Sequence, residues 1–250
     1  MNKIIVTVLF LVLTSFCQAL DLNKNWWYDF EGNLGEREIR LSVYILGNGE
    51  VKANYCFVND DKKFQLAGKI NGENIELNGL PVEKSHDVFK GRIYTDNLDR
   101  FKGSWLVNAR SKTIFFILTL KSSCYATTFE HRYSNFFGSD DDIEDFMKHV
   151  KNSILNNDKE WIANNIRYPI TTTINGEKLI KIENKSQLID NFDNIFYQEY
   201  KENIKSFCTC NLFSNYKGII LGKGQIWIDN IPKSNENKFG FCITQINHNK

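Results

Sequence analysis

From Trp26 to about Leu120, apolar and polar residues alternate with a period of two, the pattern of strands buried on one face. Ile39, Leu41, Val43 and Ile45 fall on one side of such a strand, and Arg40, Ser42 and Tyr44 on the other. Gly47-Asn48-Gly49 then turns the chain into Val51, Ala53, Tyr55 and Phe57, which predicts a hairpin. The same rhythm predicts strands at 64–70, 75–77, 88–94, 101–107 and 113–120, with turn residues such as Asn71-Gly72 between them.

One short motif recurs four times in this half: Phe30-Glu-Gly32-Asn-Leu34, Leu66-Ala-Gly68-Lys-Ile70, Phe89-Lys-Gly91-Arg-Ile93 and Phe101-Lys-Gly103-Ser-Trp105. Glycine inside a strand packs no side chain, so its repetition points to sharp coiling of the sheet or close approach of a neighbouring backbone. Sequential strands bent at glycine suit an antiparallel meander or small barrel, and the half resembles lipocalin-like and avidin-like barrels in architecture. Trp26, Trp27 and Tyr28 would then either line the barrel mouth or plug its end.

The strand rhythm stops between Ser122 and Asp142. Ser139 followed by Asp140, Asp141 and Asp142 reads as a helix cap with acidic residues in the first turn, because the alternating ligands of a calcium loop are missing. Ile143, Phe146, Met147, Val150, Ile154 and Leu155 recur at helical spacing and predict one face of a helix. A short helix at 159–166 is expected to stop at Tyr168-Pro169. Residues 170–174 and 179–182 flank Asn175-Gly176 as a hairpin, Ser186 precedes a helix bearing Leu188, Ile189, Phe192 and Ile195, and longer strands are expected at 207–214, 218–228 and 239–246.

Two stretches of this half, Asn157-Asp-Lys-Glu-Trp-Ile-Ala163 leading to Tyr168-Pro169-Ile170, and the glycine-rich run from Leu212 through Tyr216, Gly218, Gly222, Gly224 and Trp227 to Ile228, resemble the nuclear transport factor 2-like (SnoaL-like) superfamily. The resemblance covers roughly residues 140–248. It implies an α+β cone whose helices pack on one long curved antiparallel sheet around a pocket, on which enzymes place an Asp or His base beside a Tyr or a second acid. The expected organisation is a signal peptide at 1–19, an all-β domain at 20–126, a linker at 127–139 and the α+β cone at 140–250.

The signal reading rests on Lys3, the apolar run from Ile4 to Leu13, and Cys17-Gln18-Ala19 before the cleavage point. That run is about half of the roughly twenty residues a membrane-spanning helix needs, so an exported chain without a transmembrane segment is expected. Bulky Phe16 stands where a lipoprotein signal wants a small residue, which argues against a lipid anchor on Cys17. Of 31 basic and 30 acidic residues only Lys3 falls within the signal, so the mature chain is formally neutral, and no basic stripe points to nucleic acid.

An oxidising destination makes disulfides plausible for the five remaining cysteines. Division by halves suggests Cys56 with Cys124, and Cys242 with Cys210 or Cys208; buried free thiols are the alternative. Cys208-Thr-Cys210 lacks the spacing of a zinc site, and no metal or cofactor is expected.

Chemistry is sparse. Asp190 and Asp193 are the acids nearest to a catalytic role, yet they flank the apolar stripe of their helix as a solvated face would. His86, His131, His149 and His248 stand singly, and no nucleophile-elbow, zincin or phosphate-loop motif occurs. Trp161, Tyr168, Asn215, Tyr216 and Trp227 form a candidate ligand pocket, with Trp161 and Trp227 as core residues the alternative. The leading expectation is an exported non-catalytic binding protein of the cell envelope, recognising a protein or small molecule. Its alternatives are a periplasmic immunity or inhibitor protein against a toxic or wall-degrading enzyme, and a cone-fold enzyme acting on a small apolar substrate.

Overall fold

The structure, a computed structural model, describes residues 22–58, 60–80, 86–94, 100–107, 112–232 and 239–248, so the expected signal segment lies outside the described residues. Eight antiparallel strands occupy the first half: β1 (Trp26–Leu34), β2 (Arg37–Gly47), β3 (Glu50–Phe57), β4 (Asp60–Asn71), β5 (Asn74–Gly79), β6 (Val88–Tyr94), β7 (Arg100–Leu106) and β8 (Thr113–Tyr125). Each pairs with the next and β8 returns to β1, closing a barrel. The inward row of the alternation fills it: Phe30, Leu41, Val43, Tyr55, Leu77, Phe89, Phe101 and Leu118 are buried together. Face-to-edge contacts such as Phe101 with Phe116, centroids 5.0 Å apart, pack the interior with rings.

The four repeated glycines sit where neighbouring strands close in. A methyl group on Gly32 would lie 2.7 Å from the Ile117 carbonyl oxygen. Gly91 and Gly103 pair directly across β6 and β7, and a side chain on either would run into the other strand's backbone. The bends that close a small barrel are therefore set at these positions.

The second half contains α1 (Asp140–Leu155), α2 (Lys159–Asn164), β9 (Ile170–Ile174), β10 (Lys178–Ile182), α3 (Lys185–Ile195), α4 (Gln198–Lys205), β11 (Phe213–Asn215), β12 (Gly218–Leu221), β13 (Ile226–Pro232) and β14 (Phe239–Ile246). Ser139 caps α1 with a full capping box to Asp142. The apolar stripe of α1 packs with Phe192, Phe196, Ile219 and Ile228 in a second core, separate from that of the barrel.

This arrangement corrects the expected α+β cone. Strands hold 51% of the described residues, and the second half carries two small sheets, not one long curved one. The two-stranded β9–β10 hairpin is not paired into the four-stranded order β11-β12-β13-β14, although Thr172 of β9 donates to the Ile246 carbonyl of β14 at 2.9 Å. Two local causes shorten the expected strands. Gly222 and Gly224 take positive φ of 69° and 104° and turn the chain in the middle of the run 218–228. Residues 208–212, expected to be strand, instead lie against the barrel wall, as described below. Among the described residues no helix is long and apolar enough to cross a membrane. A lipid-facing barrel carries an apolar outer band around a polar interior; this one is apolar inside and bears exposed Glu76, Lys90 and Arg92 outside.

Candidate functional site

On the outward face of β1, β2 and β3, Trp27, Asp29, Ser42, Tyr44, Asn54 and Cys56 are buried. Two segments cover them. Residues 126–133 fold back from the end of β8, placing Phe129 on the rings of Trp27 and Tyr44. Residues 208–212, which follow α4, bring Cys208, Cys210, Asn211 and Leu212 against the same wall.

The seam is held by a charged network. Arg132 donates from Nη2 to Asp29 at 2.7 Å and to the Asn211 carbonyl at 3.0 Å, and from Nε to the Leu212 carbonyl at 3.1 Å. Its guanidinium lies over the Trp27 ring, 5.0 Å from the centroid. Asp29 accepts further bonds from Ser42 (2.7 Å) and Ser122 (2.6 Å), so both carboxylate oxygens are occupied. Burial pushes the Asp29 carboxyl up, but Arg132, helped by Arg40, outweighs it and holds the group below the usual carboxylate range. Arg40 bonds Glu31 and donates to the carbonyls of Cys210 (3.2 Å) and Asn211 (3.1 Å).

Asn211 joins every part of this seam. It sits in the left-handed region at φ 50°, where asparagine is among the few side chains readily accepted. Its amide donates to Glu144 of α1 at 2.8 Å, its carbonyl receives both arginines, and its side chain donates to Asn54 of β3. Tyr133 reaches the same Glu144 at 2.8 Å and accepts from the Leu212 amide, while Lys63 of β4 pairs with the other Glu144 oxygen at 2.8 Å. Burial, reinforced by Glu144, pushes the Tyr133 hydroxyl well above its ordinary range, so it remains a neutral donor.

Sulfur occupies the edge of the seam. Cys56 and Cys210 form a disulfide between β3 and the second half, and the Cys208 Sγ lies 3.3 Å from Cys56 Sγ and 2.9 Å from Cys210 Sγ. All three sulfurs fall within 4.8 Å of one another. Reduced, they would offer three thiolates to a metal; with Cys56 and Cys210 bonded to each other, that donor set is closed.

This crosslink corrects the expected pairings within halves. Cys124 pairs in register with Trp27, which pairs with Tyr44, so it lies three strands from Cys56. At about 4.8 Å per strand, that separation is beyond the roughly 7 Å between Cα atoms that a disulfide can bridge. Cys124 and Cys242 are free and buried, the latter against the Asp229 carbonyl at 3.7 Å.

The five expected ligand residues do not converge. Trp161 stacks on His149 with centroids 4.2 Å apart and touches Phe146. Tyr168 donates to the Ala163 carbonyl at 2.9 Å, and burial pushes its hydroxyl up to about 12. Asn215 accepts from the Lys217 amide in a tight turn, Tyr216 is 84% exposed, and Trp227 donates to the Gly224 carbonyl at 3.1 Å. A shallow depression of about 440 Å³ is lined by Asp145, Lys148, His149, Asn152, Ser153, Asn156 and Asp158, and includes none of the five. Asp190 and Asp193 are both exposed, and Asp193 pairs with Lys159 at 2.7 Å, which removes the acid–base role considered for them.

Asp29, Arg132 and Asn211 were not singled out in the sequence, and Cys208 entered only as a possible partner of Cys242 and in the rejected zinc pair. The one available signal was Asp29 within the apolar run Trp26-Trp27-Tyr28-Asp29-Phe30, where a strand buried on both faces would need its acid paired. No protein-family model, no curated protein and no solved structure matches the chain.

Proposed function

We propose that the chain is an exported, non-catalytic protein that binds a protein partner through its outer surface, with the barrel and the second half acting as one crosslinked body. The supporting observation is the contrast between the filled barrel interior and the bare apolar residues on its wall. Phe115 and Ile117, 82% and 59% exposed, stand two residues apart on β8, on wall that the second half leaves uncovered. Their cross-strand partners on β7 are Ser104 and Lys102, so the apolar pair has a polar rim. Adjacent large apolar side chains with a polar rim are the usual make-up of a protein contact. Export is supported by the leader pattern of residues 1–19 and by a disulfide that an oxidising compartment would maintain.

The mature protein, immobilised, is expected to retain a defined partner from an envelope extract, and the double substitution Phe115→Ser and Ile117→Ser is expected to abolish retention at unchanged thermal stability. Equal retention by both proteins, or none by either, overturns the reading. The secreted chain should have a mass that starts near Leu20.

A further inference from the structure

A disulfide flanked by a third sulfur at contact distance can exchange, because a thiolate there can attack one bonded sulfur and release the other. Cys208 occupies that position. Cys208 and Cys210 flank Thr209, and both sulfurs sit on Cys56, which β3 presents from the barrel wall. We propose that Cys56, Cys208 and Cys210 form a three-sulfur exchange centre, in which the covalent link between the barrel and the second half moves between Cys56–Cys210 and Cys56–Cys208.

The step is redox-neutral. Cys208 gives its thiol proton to solvent, and its thiolate attacks Cys56 Sγ. The Cys56–Cys208 bond forms as the Cys56–Cys210 bond breaks, and Cys210 leaves as a thiolate that takes up a proton. One disulfide and one thiol stand on each side, so neither an oxidant nor a reductant is required.

Two features of the site set its behaviour. Arg40 donates to the Cys210 carbonyl and places positive charge beside the sulfurs. Burial pushes the Cys208 thiol up, and Arg40 opposes that shift without cancelling it. Exchange is therefore slow near neutral pH and accelerates as the thiolate fraction grows, about tenfold per pH unit below the thiol's own pKa. The backbone of 208–212 stays anchored through Asn211 in both linkages, so the exchange changes which sulfur carries the link without releasing the seam.

The test is disulfide mapping of the full mature protein, held native at pH 7 or pH 9, quenched in acid, alkylated and digested. Both crosslinks are expected in the wild type, with the second reached about a hundredfold faster at pH 9 if the thiol titrates above that pH. Cys210→Ser is expected to carry Cys56–Cys208 alone, and Cys208→Ser to carry Cys56–Cys210 alone at both pH values. A single Cys56–Cys210 link in the wild type at pH 9, together with a free Cys56 in Cys210→Ser, overturns the proposal. So does a purified protein with three free thiols holding a stoichiometric metal ion. If Cys210→Ser does not fold, the wild-type map at pH 9 decides alone.

Discussion

Arg132 and Asp29 are the residues on which the seam turns, since each is almost wholly buried and each is the other's main charge partner. Removing one partner of a buried pair leaves an uncompensated charge, which typically costs about 3–5 kcal/mol. Arg132→Met should therefore destabilise the protein by roughly that amount in urea unfolding, whereas adding Asp29→Leu to it should restore part of the loss, because the stranded carboxylate goes with it. The pH profile gives the same test a sign. A carboxyl held below its unfolded value contributes stability that is present above pH about 4, the unfolded value, and is lost as pH falls through the folded one. Wild-type stability should decline on that acid limb, and Asp29→Asn should flatten it. A wild-type profile unchanged by Asp29→Asn would place the acid sensitivity elsewhere.

At the scale of elements, the barrel is the most legible part of the chain. Its alternation and its turn glycines follow from steric rules that act within a few residues. The four-glycine motif goes further, because close approach of backbones is visible as a missing side chain. Gly103→Ala should cost roughly 1–3 kcal/mol, since its methyl would meet the Lys90 carbonyl and β6 has Gly91 opposite. Gly72→Ala is the control: it has a positive φ of 56° and open space around it, so about 1 kcal/mol of backbone strain is the whole effect. A smaller loss at Gly103 than at Gly72, measured by denaturant midpoint, would contradict the role given to the motif. The second half was harder to read. Residues 207–212 alternate like a strand, but their groups are used by Arg132, Arg40 and Glu144, which come from three separate parts of the sequence. No local pattern encodes that. The alternation separates Arg40, Ser42 and Tyr44 from the inward row of β2; that their face is covered depends on a segment some 170 residues away, as Arg40 and Cys210 illustrate. The same distance explains the disulfide, because pairing by halves assumed that each half closes on itself.

For the whole molecule, the question is what makes two cores unfold together. The barrel core and the second-half core are distinct clusters, and the contact between them is largely polar. Polar seams of this kind resemble transient interfaces and couple domains weakly by themselves. The crosslink spans 154 residues of sequence, and by the chain-entropy account a loop that long is worth roughly 5 kcal/mol. That is comparable to the total stability of an ordinary domain, so the sulfur link should decide cooperativity as well as stability. Cys56→Ser removes every disulfide from the barrel to the second half, whichever of Cys208 and Cys210 would have carried it. Guanidinium unfolding of the oxidised wild type, followed by near-ultraviolet circular dichroism and by amide exchange, should give one coincident transition. The Cys56→Ser protein should give two, with the seam amides of Asn211 and Leu212 losing protection in the first, because their segment is held in place by Arg40 and Asn54 of the barrel and by Arg132 on Asp29, and these contacts break when the halves part. A single transition in Cys56→Ser, shifted but not split, would mean that Arg132, Asp29 and Asn211 hold the two halves together without the sulfur.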